Sequence, residues 1–136
     1  MAATTADIAT TYSGVHQISV KVAADAVIPV GTMVSVNASG YAIPAANTSA
    51  SNDVIGIARD RVDATGASDG DKEVIVMRHN RFKIKNSGTA ALTQAHMFKP
   101  ALVADNQTVA ATASESNKAG TLVGIDNGYC WVEIPG

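Results

Sequence analysis

Apolar and polar residues alternate with a period of two along most of the chain. Ile18, Val20 and Val22 interleave with Gln17, Ser19 and Lys21, the pattern of a strand with one wet face. Residues 28–36 continue the pattern, interrupted by Pro29 and Gly31, and run into a turn signal at 37–40, so residues 41–43 are predicted to return antiparallel. A short strand is predicted over 54–58, where Gly56 marks a bulge or close backbone approach. Residues 73–77 are apolar on both alternating faces and read as a central strand, whereas Arg81-Phe-Lys-Ile-Lys85 alternates cation with apolar residue. Residues 89–98 have room for a turn of helix before Pro100. Four more short strands follow at 101–104, 107–111, 121–125 and 129–134, the last two joined by the hairpin signal Asp126-Asn-Gly128. Small polar residues make 45–53 a loop, and Gly and Asp do the same for 63–72.

The halves of the chain echo one another. Met33-Val-Ser-Val36, Gly40-Tyr-Ala-Ile-Pro-Ala45 and Asn52-Asp-Val-Ile-Gly-Ile57 find weak counterparts in Met97-Phe98, Gln107-Thr-Val-Ala-Ala111 and the stretch from Asn117 to Ile125. Duplication and convergence of short meanders both produce such an echo. The expectation is an all-β fold: a small β-barrel or β-sandwich of short antiparallel strands with at most a short helical turn, occupying residues 15–136 as a single domain with two weakly similar halves. Residues 1–14, rich in Ala and Thr with only Ile8 and Tyr12 as sizeable apolar groups, read as a flexible N-terminal arm.

Composition sharpens this picture. The 136 residues leave room for one domain with a core. Hydrophobic residues reach 46%, but leucine occurs only at Leu92, Leu102 and Leu122, which argues against coiled coils and long helices. Charged residues are 16%, against roughly 25% in an average globular chain, so the surface is built from Thr, Ser, Asn, Ala and Gly. The net charge of -2 supplies no global field for nucleic acid or acidic lipid. Neither a membrane-spanning run nor a basic-then-apolar leader is visible, so the chain reads as soluble and unexported.

Candidate chemistry is sparse. His16, His79 and His96 stand in no metal-binding spacing. Cys130 shares its strand face with Val132 and Ile134, as a small buried hydrophobe would. Asp63, Asp69 and Asp71 suggest calcium, but the EF-hand pattern with its terminal glutamate is absent, and turn formation accounts for them. Nucleophile-elbow, phosphate-loop and dinucleotide fingerprints are missing. No catalytic residue, metal or cofactor is therefore assigned, and an enzyme is not expected. Arg81, Lys83 and Lys85 would point together from one strand face, either as a solvated surface or as a docking strip for an acidic protein. Tyr129 and Trp131 share the face of the last strand opposite Cys130, as interface anchors or as core.

The order Ile28-Pro-Val-Gly-Thr-Met-Val34, Gly40-Tyr-Ala-Ile-Pro-Ala45, Val54-Ile-Gly-Ile-Ala58, Asp69-Gly-Asp71 with Val74-Ile-Val76, and Gly120-Thr-Leu-Val-Gly-Ile-Asp126 with Val132-Glu-Ile134 resembles the capsid decoration, or cement, proteins of tailed bacteriophages. The resemblance covers most of the chain beyond Val15. It implies a β-domain with an extended arm, without catalysis, made in the host cytoplasm and carried on the capsid exterior of the virion. Its partners would be the major capsid protein and further copies of itself, a trimer before a dimer, with no nucleic acid and no membrane. In that reading Thr4, Thr5, Ile8, Thr10 and Tyr12 are the candidate capsid-binding arm, and Arg81, Lys83, Lys85, Tyr129 and Trp131 the candidate interface. The rival expectation is a non-catalytic ligand- or carbohydrate-binding β-module of a virion or secreted protein, for which the aromatics look sparse.

Overall fold

The computed structural model describes residue 6 and residues 16–135. The arm candidates Thr4, Thr5, Ile8, Thr10 and Tyr12 lie outside the described residues. Among the described residues twelve strands carry the fold: β1 (Gln17–Lys21), β2 (Val27–Ile28), β3 (Met33–Val36), β4 (Ala42–Pro44), β5 (Gly56–Ala58), β6 (Val62–Asp63), β7 (Glu73–Met77), β8 (Asn80–Asn86), β9 (Pro100–Asp105), β10 (Thr108–Ala110), β11 (Lys118–Asp126) and β12 (Tyr129–Ile134). The helical turn expected before Pro100 is a single 3₁₀ turn at Gln94–His96. The fold is therefore all-β, as the alternation implies. Two local expectations change. The run at 28–36 is split into β2 and β3, because Pro29 cannot donate to a ladder and Gly31 turns left-handed at φ +80°. Part of the loop expected at 63–72 is instead taken up by β6, which pairs with β2 through Val27–Asp63 and Ile28–Val62.

The strands form two lobes with the same connectivity. In the first, β1-β7-β5-β3-β4 make one sheet, and an isolated parallel bridge between Val22 and Ala42 joins its two ends. In the second, β8-β12-β11-β9-β10 make a closed barrel, completed by the parallel pairing of β10 with β8. The correspondence reaches individual hydrogen bonds. Ala23 donates its N–H to the Ala42 carbonyl at 3.0 Å, and Ser87 donates likewise to Val109 at 2.8 Å. Cross-strand registers place Gln17, Ser19 and Lys21 at the positions of Arg81, Lys83 and Lys85, and Glu73, Ile75 and Met77 at those of Tyr129, Trp131 and Glu133. Gly56, opposite Val34, corresponds to Gly120, opposite Ala101. The Gly-Ile pairs at 56 and 124, alike to the eye, are therefore not equivalent.

Each lobe has its own core. Val22, Ile28, Val34, Ala42, Ala58, Val74 and Val76 fill the first, and Ile84, Leu92, Val103, Val109, Leu122, Val132 and Ile134 belong to the second. On the outer side of β3 and β5 in the first lobe, Met33 and Ile57, with Val54 beside them, pack into the second core. Hydrogen bonds fasten the same seam. Met33 donates to the Asn106 carbonyl at 2.8 Å, Val54 to that of Lys118 at 2.9 Å, and the Asn117 amide to those of Ala46 and Thr48 at 2.8 Å each. The lobes are thus fixed to one another, and a surface on one holds a set position relative to the other.

Two glycines permit the tight closure. A Cβ at Gly56 would collide with the Met77 carbonyl and Val76 Cγ1, and one at Gly120 with the Glu133 carbonyl and Val132 Cγ1. Both obstacles include backbone, which cannot move aside without shifting a strand. Gly56→Ala and Gly120→Ala should each destabilise the protein by about 2 kcal/mol or more in urea unfolding, whereas Gly88→Ala, with open space around it, should stay within about 0.5 kcal/mol. Equal effects at all three positions would contradict the close approach.

Candidate functional site: a cation–aromatic face

Parity along two paired strands builds the site. On β8 the apolar Phe82 and Ile84 turn inward, which leaves Arg81, Lys83 and Lys85 exposed. On β12 Cys130, Val132 and Ile134 turn inward and Tyr129, Trp131 and Glu133 outward. Antiparallel register then sets Lys85 beside Tyr129, Lys83 beside Trp131 and Arg81 beside Glu133. All five candidate interface residues therefore come together on one barrel face, although the two groups are more than forty positions apart in sequence.

The face has internal order. Lys83 Nζ lies 5.0 Å from the centroid of the Tyr129 ring and 3.7 Å from Asp126 Oδ2. Both contacts are solvent-screened and worth at most about 1 kcal/mol each, so they orient the lysine more than they stabilise the fold. Trp131 lies across Gly124, where an added Cβ would come within 3.2 Å of its Cδ1. The register shift between Leu122 and Gly124 brings this glycine opposite the indole. Beside the tryptophan is an open hollow of about 280 Å³ lined by Asn80, Arg81, Val123 and Trp131. Tyr129 and Trp131 keep 44% and 39% of their surface exposed, which answers the choice between core and surface in favour of the surface.

Elsewhere the polar residues have structural roles. Asp69 accepts the Ala24 N–H at 2.7 Å, Asp71 that of Ser68 at 2.9 Å, and Asp25 that of Gly66 at 2.8 Å. Hydrogen bonds from Thr65, with Lys72 and Arg61 nearby, hold the Asp63 carboxyl below its ordinary range. His96 Nδ1 accepts the Thr93 N–H at 3.0 Å. Among the described residues no three His, Cys, Asp or Glu side chains gather as a metal site. Cys130 is fully buried and burial pushes its thiol pKa up, opposite to what a nucleophile needs.

Sequence reasoning missed one exposed aromatic. Phe98 keeps 76% of its surface in water, at the end of the segment expected to form a turn of helix. No periodicity signals it, because its exposure follows from the chain's exit into β9. Ile125, which the alternation places in a strand, is 39% exposed. Compared with family models, characterised proteins and solved structures, the chain matches none.

Two measurements check this geometry. Lys83→Ala should change unfolding stability by less than about 1 kcal/mol, since both of its partners are exposed. Cys130 should resist thiol reagents in the folded protein and react at once in denaturant; a native reaction as fast as that of an exposed cysteine would contradict its burial.

Proposed function

We propose that this protein is a bacteriophage head decoration protein, which binds the outside of the expanded capsid and bridges neighbouring major capsid proteins. The observation that carries the reading is the gathering of Arg81, Lys83, Lys85, Tyr129 and Trp131 on one rigid face of a small all-β body. Basic side chains around partly exposed aromatics suit an acidic protein surface, where aromatics supply the anchoring area and charges the orientation. The sequence resemblance to cement proteins supplies the identity of the shell. Such a protein does its work by touching several shell subunits at once. A clamp of that kind raises the free energy of separating them without altering any one contact much. A symmetric oligomer, trimer before dimer, turns later contacts into intramolecular events, with avidity gains of about 10²–10⁴. The N-terminal segment, Thr4 to Tyr12, would add a strand to a shell sheet edge, which places little demand on sequence.

One observation favours a second reading. Trp131 and Tyr129 lie two residues apart on the same strand face, beside a hollow that also offers Asn80 and Arg81. Paired aromatics of this kind also suit a carbohydrate-binding module.

Co-sedimentation of the purified full chain with emptied heads separates the two. The chain should load onto expanded heads more than onto unexpanded ones. Removing residues 1–14 should reduce loading while the protein stays folded, and Trp131→Ala should weaken it about tenfold or more. Absence of binding to any shell, together with retention on an immobilised glycan that Trp131→Ala abolishes, would replace the proposal with the module.

A further inference from the structure

Matching the lobes by strand register shows where the second departs from the first. Phe98 takes the left-handed backbone of Gly31, at φ +62° against +80°. Gly31 donates to Ala58, which donates to Thr32; Phe98 donates to Leu122, which donates to Lys99. A second departure opens the hollow beside Trp131. In the first lobe Arg59 reaches across β7 and donates from Nη1 to Gln17 Oε1 at 2.9 Å. The register puts Arg81 at the Gln17 position, Trp131 at that of Ile75 and Val123 at that of Arg59. Valine is too short to cross a strand. The register shift between Leu122 and Gly124 also sets two residues, Val123 and Gly124, where the first lobe has Arg59 alone. The bridge is therefore missing, and the residues that replace it line the hollow of about 280 Å³.

That lining combines a ring with hydrogen-bond donors, the usual contents of a small-ligand site. The Trp131 indole is 39% exposed and is backed by Gly124, where a Cβ would come within 3.2 Å of it. Asn80 uses its Oδ1 to accept the Arg81 N–H at 2.9 Å, which leaves its Nδ2 as a donor. Among the described residues the Arg81 guanidinium makes neither an ion pair nor a hydrogen bond, since the only ion pair is Lys83–Asp126. Glu133 stands opposite Arg81 in the register and offsets its charge from outside the hollow. A ligand that fits has one apolar face for the indole, acceptor oxygens around its rim for Arg81 and Asn80, and no negative charge to set against Glu133.

We propose that the hollow binds a neutral pyranose sugar. The C–H face of the ring lies on Trp131 and its hydroxyl oxygens accept from Arg81 and Asn80. This deepens the carbohydrate reading of the face and rests on it. The first lobe, closed by Arg59 and Gln17 and without an aromatic at the matching position, has no such site there.

Trp131 is the single tryptophan of the chain, so its fluorescence reports on the hollow directly. Titration of the full chain with methyl glycosides of glucose, galactose, mannose and N-acetylglucosamine should shift the emission saturably for at least one of them. Sorbitol, an open-chain polyol, should not do so. Arg81→Gln, at an exposed position, should weaken binding of that glycoside about tenfold. Val123→Arg, which supplies the first lobe's side chain, should weaken it at least as much while the unfolding midpoint in urea holds. An emission unchanged by all four glycosides, full affinity in Arg81→Gln, or at least tenfold preference for a methyl glucuronide over the methyl glucoside would overturn the inference. Retention on an immobilised glycan that Trp131→Ala leaves intact would keep a carbohydrate module but overturn this site. Loading onto expanded heads is a separate measurement: its absence overturns the decoration reading and leaves the sugar site standing, and loading without any emission change does the reverse.

Discussion

A sheet of five short strands ends in two rows of unpaired backbone donors and acceptors, and the two ends of each lobe meet to pair them. The pairing is brief, one parallel bridge at Val22–Ala42 and two positions between β10 and β8, but it fixes the curvature of everything else. Strands bent that sharply bring backbones into contact, and Gly56 and Gly120 occupy the points where β5 crosses β7 and β11 crosses β12. Small cores follow from the same constraint. Valine and alanine make up nearly all of the first, where so narrow a space leaves little room for larger side chains, while the second also takes Ile84, Leu92, Leu122 and Ile134.

Closure also determines which surfaces face water. Once Cys130, Val132 and Ile134 are committed inward, their strand neighbours Tyr129, Trp131 and Glu133 must point out, and the same parity on β8 exposes three cations. The face is therefore a by-product of core packing that the sequence has filled with unusual residues. The corresponding positions of the first lobe hold Gln17, Ser19, Lys21, Glu73, Ile75 and Met77, a blander set without an aromatic. One architecture repeated twice thus carries its aromatic and cationic surface on one lobe only.

Phe98 shows the same divergence at the level of backbone strain. The first lobe satisfies an identical pair of hydrogen bonds with a glycine, so the turn itself does not demand a side chain. The second lobe presents an aromatic ring to water from a conformation that disfavours it.

Period-two alternation made most of the strands legible, because a half-buried strand must repeat every second residue. The Asp126-Asn-Gly128 hairpin was legible for a similarly local reason, since Asn127 and Gly128 supply the two positive φ angles such a turn needs. Even the contents of the candidate face could be named in advance, as a cation strip and an aromatic pair. What alternation does not encode is partnership: that β8 pairs with β12, that the sheets close, that β6 seeks β2, or that Met33 and Ile57 serve the other lobe's core. Those depend on contacts between residues far apart in the chain. Only the assembled backbone places Lys83 beside Trp131 and leaves Phe98 in the water.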